Sequence, residues 1–321
     1  MKFLVTGGLG FIGHNVVARL EAAGHDVVVT DTRTNYGIVP DSELNYLMSH
    51  RLKKIQTTAL HRVDIADAGS VNWLIHKYQP AVVIHMASFP RQKVVNADPA
   101  RGSQTMIEGL LNLCESASRH HVCKFVYISS SMVYGDFDNN VTEDRPCQPQ
   151  GQYGIMKLCG EDLVKDYARR GAFDYTIIRP SAVYGPLDVE DRVVAKFMLT
   201  AMRGGNLRVN GAGETLDFTY VDDAAEGIVA AALSTNTSNQ TYNITRGRGE
   251  NLLHAAELAV RIAGRGTIEV NDKDAAFPSR GALNIDAAIK DFGYSPAVDI
   301  EQGFREYYEW LSKSSYWKIT V

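Results

Sequence analysis

Along the first 180 residues, short apolar runs alternate with longer segments of helical periodicity. Lys2–Thr6, Asp26–Thr30, Ala81–His85, Lys124–Ile128 and Tyr175–Ile178 read as strands, being rich in β-branched and aromatic residues. Between them Gly13–Ala23, Ser70–Tyr78, Thr105–His120 and Tyr153–Arg170 carry helical spacing. Runs such as "AVVIH" are apolar at successive positions, which fits strands covered on both faces. The alternation predicts an α/β protein with a doubly wound parallel sheet. After Arg179-Pro180 the pattern becomes irregular, with short strands ("LRVNG", "TIEV") among glycine- and proline-containing loops. This predicts a smaller lobe over 179–217 and 246–321. The segments "FTYV" and "TYNIT" are expected to return 218–245 to the first lobe, 1–178.

Composition narrows the class without altering this architecture. The chain has 321 residues, 45% hydrophobic and 22% charged, as for an ordinary globular protein. A net charge of -4 offers no broad basic surface, so nucleic acid is not expected as a partner. No apolar run approaches the ~20 residues of a membrane helix. The start of the chain lacks signal-peptide features, and a cytoplasmic location is expected. Cys114, Cys123, Cys147 and Cys159 show no paired spacing and read as free thiols. The histidines show no ligand spacing, so no metal is expected. The sequons at Asn236, Asn239 and Asn243 read as chance matches.

Three motifs carry chemistry. "LVTGGLGFIG" sets Gly7, Gly10 and Gly13 between a strand and a helix. Small residues there let the backbone approach a pyrophosphate at the helix N-terminus. Asp31 ends the second strand, where a carboxylate can accept hydrogen bonds from an adenosine ribose and would repel a 2′-phosphate, favouring NAD over NADP. Nearby Arg33 counts slightly against that inference. Asp64 ends a further strand-like segment, and His85-Met86-Ala87-Ser88 closes the fourth strand at the ligand-binding edge. "YGIMK" puts Tyr153 and Lys157 four residues apart on one helix face. A tyrosine of ordinary pKa ~10 is a poor base, but an adjacent ammonium favours the phenolate. The third motif is "SSSMVYG", a buried strand ending in Ser129, Ser130 and Ser131.

With "RPSAVYGP" and "DFTYVDD" added, these motifs resemble the extended short-chain dehydrogenase/reductase superfamily, and within it the nucleotide-sugar epimerases and dehydratases. The resemblance covers most of the chain. It implies a Rossmann-like lobe, tightly held NAD, a C-terminal lobe for a nucleotide sugar, a UDP-sugar first among them, and a homodimer packed through the helices near 105–120 and 153–170. It assigns Tyr153 as the base, Lys157 as its partner on the nicotinamide ribose, and Ser130 as the donor to the reacting oxygen. It groups Gly7, Gly10, Phe11, Ile12, Gly13, Asp31, Asp64, Ile65, Ala87, Ser88, Ser129, Tyr153, Lys157 and Pro180 around the cofactor. Around the substrate the expected residues are Ser130, Ser131, Tyr153, Phe89, Arg91, Arg192, Val209 and Arg280, with the resemblance implying that Arg280 grips the diphosphate.

The same resemblance separates reactions. Family dehydratases carry a Thr-Asp-Glu triad where this chain has Ser130, Ser131 and Met132. A thioether cannot move a proton, which argues against loss of water and leaves inversion at C4 through a 4-keto sugar. Ala182, Leu216 and Met106 depart from residues common in epimerases, while Arg91, Lys93 and Arg192 could face an anionic group, so a uronic-acid sugar nucleotide is one expectation. A 4-keto-sugar reductase is a second enzymatic reading, which Asp31 disfavours. A non-catalytic dinucleotide sensor is a third, against which Tyr153, Lys157 and Ser130 stand intact.

Overall fold

In a computed structural model, which describes residues 1–37, 39–57, 59–273 and 278–319, a seven-stranded parallel sheet forms the centre. Its strands are β1 (Lys2–Thr6), β2 (Asp26–Thr30), β3 (Leu60–His61), β4 (Val82–His85), β5 (Lys124–Ile128), β6 (Asp174–Pro180) and a last strand, Gln240–Ile244. The spatial order is Gln240–Ile244, β6, β5, β4, β1, β2, β3. Chain direction around the sheet reverses between β1 and β4, the point where ligands bind in such folds. β4 and β5 are buried at every residue, in keeping with helices on both faces.

One sheet face packs Phe3, Val5, Val126 and Ile178 against helices Gly13–Ala22 and Val221–Leu233. The other packs Leu4, Val83, Phe125 and Ile177 against helices Ala68–Tyr78, Gly109–Arg119 and Gln152–Arg169. A separate core lies in the smaller lobe, where Phe197, Met198, Leu207, Val209, Leu258 and Phe304 meet.

Several expectations need correction. Gln240–Ile244 does join the large sheet beside β6, but Thr219–Tyr220 pairs with Val183–Tyr184 instead. Ala288, in the stretch assigned to the smaller lobe, packs under the large sheet, and Leu47, from the first lobe, joins the smaller lobe's core. The helix expected from Thr105 opens with a π-helical turn, Gln104–Glu108, holding Met106 against Phe89 and Val95. Helix Asp41–Leu52 escaped prediction because its buried positions, Glu43, Leu47 and Arg51, are two-thirds charged and hide the period.

Candidate active site

A cleft of about 940 Å³ opens above the carboxyl ends of the strands, between the two lobes. Every residue expected at the site lines it except Val209. Strand Asn206–Asn210 alternates buried and exposed, and Val209 points into the core while Arg208 and Asn210 face the cleft. The expectation was out of register by one residue, which in a strand means the opposite face.

The glycine loop is shaped by close approach. Gly7 has φ +67°, and a Cβ there would lie 2.7 Å from the Ala87 nitrogen. A Cβ on Gly13 would lie 2.3 Å from the Gly7 carbonyl oxygen. The loop thus seats directly against the end of β4, leaving its outer surface to the cleft. Asp31 pins it by accepting from the Leu9 N–H at 3.1 Å and the Arg33 N–H at 2.8 Å. Burial raises the Asp31 carboxyl above its ordinary value, and those two hydrogen bonds oppose the rise. Backbone surface free of side chains followed by an acid at the end of β2 fits a dinucleotide lacking a 2′-phosphate. Asp64 accepts from the Ala66 N–H at 3.0 Å, and Ile65 is buried beside it.

At the far end of the cleft, β5 runs into a 3₁₀ turn, Ser131–Tyr134. Ser130 caps this turn, its Oγ accepting from the Met132 N–H at 3.2 Å, and its side chain also hydrogen-bonds Tyr153. Tyr153 and Lys157 project from the first turns of helix Gln152–Arg169. Lys157 Nζ donates to the Ile128 carbonyl at 2.7 Å and lies 5.9 Å from the Tyr153 ring centroid. Burial lowers the Lys157 ammonium to about 7, against the pull of Glu161. Burial raises the Tyr153 hydroxyl, while the charge of Arg192 and the Ser130 hydrogen bond draw it down.

The three serines divide their work. Ser129 turns from the cleft to donate to Glu161 Oε1 at 2.6 Å, and Ser131 donates to Ser181 Oγ at 3.1 Å. Ser130 is the one that reaches the tyrosine. Met132 lines the cleft beside them, with no carboxylate at either of the two positions after Ser130.

The facing wall is cationic. Arg91 pairs with Asp191 at 2.7 Å, and Lys93 and Lys196 share the same carboxylate at 3.4 and 3.1 Å. Arg192 is held loosely, 3.9 Å from Asp188 and 39% exposed. Arg280 lines the cleft with its Nε buried and without a hydrogen-bond partner among the described residues, and burial lowers its pKa to about 10.

Sequence reasoning missed Arg51. Its buried guanidinium donates to the Leu9 carbonyl at 3.1 Å and the Leu187 carbonyl at 2.7 Å, tying the glycine loop to the loop that carries Arg192. No local signal marked it, since a helix arginine flanked by Lys53 and Lys54 reads as solvated. The Glu161–Arg179 pair was missed too, although an arginine inside the apolar run "YTIIRP" calls for a buried partner. Among the described residues no three His, Cys, Asp or Glu side chains converge as a metal site, and no described helix is long and apolar enough to cross a membrane.

Parallel sheet, glycine loop and Tyr–Lys–Ser trio together define a dinucleotide-dependent enzyme of the short-chain dehydrogenase type. The model of the NAD dependent epimerase/dehydratase family matches residues 3–245, and the chain belongs to that family. A dTDP-glucose 4,6-dehydratase of Streptomyces griseus is 29% identical, the match covering 98% of this chain and 95% of that one. An uncharacterised UDP-glucose epimerase of Bacillus subtilis is 27% identical, covering 97% and 98%. The crystal structure of UDP-glucuronic acid 4-epimerase from Bacillus cereus, in complex with UDP-glucuronic acid and NAD, superposes with a TM-score of 0.88 at 26% identity, covering 98% and 99%. Both branches of the family are therefore about equally near in sequence, and the choice between them falls to the site.

Proposed function

We propose that the protein is an NAD-dependent nucleotide-sugar 4-epimerase, acting on a UDP-sugar. The observation that carries this reading is Met132 beside Ser131, where a dehydratase would present two carboxylates to an otherwise complete Tyr153–Lys157–Ser130 trio.

Bound NAD would supply a hydride acceptor and donor for C4; the chain does the rest. Tyr153, as phenolate, takes the proton of the sugar 4-hydroxyl, with the Lys157 ammonium lowering the cost of that phenolate. Ser130 donates to the same oxygen. The 4-keto sugar turns about its diphosphate link, held by Arg280, whose planar fork suits phosphate oxygens. Tyr153 then returns its proton to the oxygen on the opposite face. A cycle of this kind needs one base and one donor, and no group able to expel water.

The loosely held Arg192 favours a sugar bearing a carboxylate, since Arg91, Lys93 and Lys196 already share Asp191. We further infer a homodimer packed through helices Gly109–Arg119 and Gln152–Arg169, the latter exposing Ile155 at 53%. To test the function, the purified protein is denatured, the released nucleotide identified, and sugar nucleotides screened by NMR. Released NAD with inversion at C4 is expected. Released NADP, or net consumption of reduced cofactor, would overturn the reading.

A further inference from the structure

Behind the catalytic trio lies an ion pair that the proposed cycle does not use. Glu161 is fully buried on the helix face of Tyr153 and Lys157, one turn beyond the lysine. Its carboxylate accepts from Arg179 Nε at 2.9 Å and Nη2 at 2.6 Å, and from Ser129 Oγ at 2.6 Å. Arg179 also donates through Nη1 to Tyr134 Oη at 2.8 Å and to the Glu143 carbonyl at 3.0 Å. Tyr134 in turn donates to Asn243 Oδ1 at 2.8 Å. The network therefore grips the Ser129–Tyr134 segment at both ends.

Ser129 occupies a particular place in it. It sits between Ile128, whose carbonyl receives Lys157 Nζ, and Ser130, which bonds Tyr153. Its own N–H donates to the Ile178 carbonyl at 2.7 Å, one residue before Arg179. One carboxylate thus holds the peptide that carries the acceptor for the lysine and the donor for the tyrosine. Burying two charges for this is costly, and apolar side chains would join helix to strand at less expense.

We propose that Glu161, fixed by Arg179, is a positioning residue that seats Ser129 and keeps Lys157 charged. This rests on the reading of Tyr153 and Lys157 as the working pair. The groups facing Lys157 leave that task to Glu161. His85 is buried on Thr6 at 2.7 Å and pushed down to about 3 by burial, hence neutral. Tyr127 and Tyr153 present ring faces at 5.3 and 5.9 Å. Arg179 and Lys165 also pair with the Glu161 carboxylate, at 2.6 and 3.6 Å, and reduce the share of its charge that acts on Lys157.

The test is Glu161→Gln in the cofactor-loaded protein, which keeps an amide oxygen for Ser129 and removes the charge. NMR of labelled lysine, with Lys157→Met assigning the signal, should show the Lys157 titration falling by about one pH unit, a tenfold change in its protonation equilibrium. The alkaline limb of the kcat profile should move down with it while the acid limb stays and KM changes less than threefold. Where the single variant does not fold, Glu161→Gln with Arg179→Met removes both charges together and should lower the Lys157 titration in the same direction by a smaller amount. An unmoved Lys157 titration, with kcat reduced equally at all pH values, would overturn the proposal and leave a packing role. A titration that moves while the kcat profile does not would uphold the coupling and instead sink the assignment of Lys157 to the reaction.

Discussion

The wall of the cleft formed by the end of β5 and helix Gln152–Arg169 has its polar side chains tied down, whereas several charges of the facing wall are held loosely. On the first wall Ser129, Ser130, Ser131 and Lys157 each have a directed hydrogen bond shorter than 3.3 Å, and the Glu161–Arg179 pair beneath is shut away from water. On the second, Lys93 is 71% exposed and Arg208 77%, and Arg192 and Arg208 stand 3.9 Å from their acids. A group that must meet one proton at one oxygen needs fixed geometry. A wall that grips a flexible diphosphate sugar, and releases it to turn, needs charge more than rigidity. On the proposed function, reaction type belongs to the first wall and substrate identity to the second.

Substitutions on each side should keep these roles apart. The largest effect is expected for Tyr153→Phe, which removes the proposed base and should lower kcat about a thousandfold with the fold intact by circular dichroism. Inversion at near-normal rate would break the assignment. Arg280→Met should cost roughly a hundredfold in kcat/KM, mostly through KM, because it removes the charge proposed to grip the diphosphate. A loss confined to kcat would place Arg280 on the wrong side of the comparison. Val209→Ala should cost about 2 kcal/mol of stability, read by denaturant unfolding, with kinetic constants unchanged. Arg208→Ala should do the reverse, leaving stability alone and altering KM. The smallest effect, about tenfold in kcat/KM, is expected for Arg192→Met with UDP-glucuronate, against less than twofold with UDP-glucose. Equal losses on both sugars would remove the case for a carboxylate.

The first wall could be read from the sequence because its chemistry is local. Tyr153 and Lys157 sit one turn apart, and Ser130 ends a strand whose apolar run is unmistakable. The large sheet was legible for the same reason in β1, β2, β4 and β5, each an apolar run followed along the chain by a helix. What escaped depends on contacts distant in sequence. Arg51 acts through Leu9 and Leu187, 42 and 136 residues away, and Glu161 meets Arg179 across the gap between a helix and a strand. Val209 was misplaced because an alternating strand gives two faces without saying which one meets the cleft. Thr219–Tyr220 was misplaced because a two-residue strand carries no pattern that names its partner.

Hydride chemistry confined to C4, as proposed, is reported directly by solvent isotope. Inversion at C4 by removal and return of one hydride leaves every carbon-bound hydrogen of the sugar in place. Elimination of water across C5 and C6 requires that the C5 hydrogen leave and be replaced from solvent. UDP-glucose and UDP-glucuronate should therefore be incubated with the protein in D₂O and followed by proton NMR. The C4 epimer with full protium at C4 and C5 is expected. Deuterium at C5, together with a 4-keto-6-deoxy product, would contradict it and return the protein to the dehydratase side of its family.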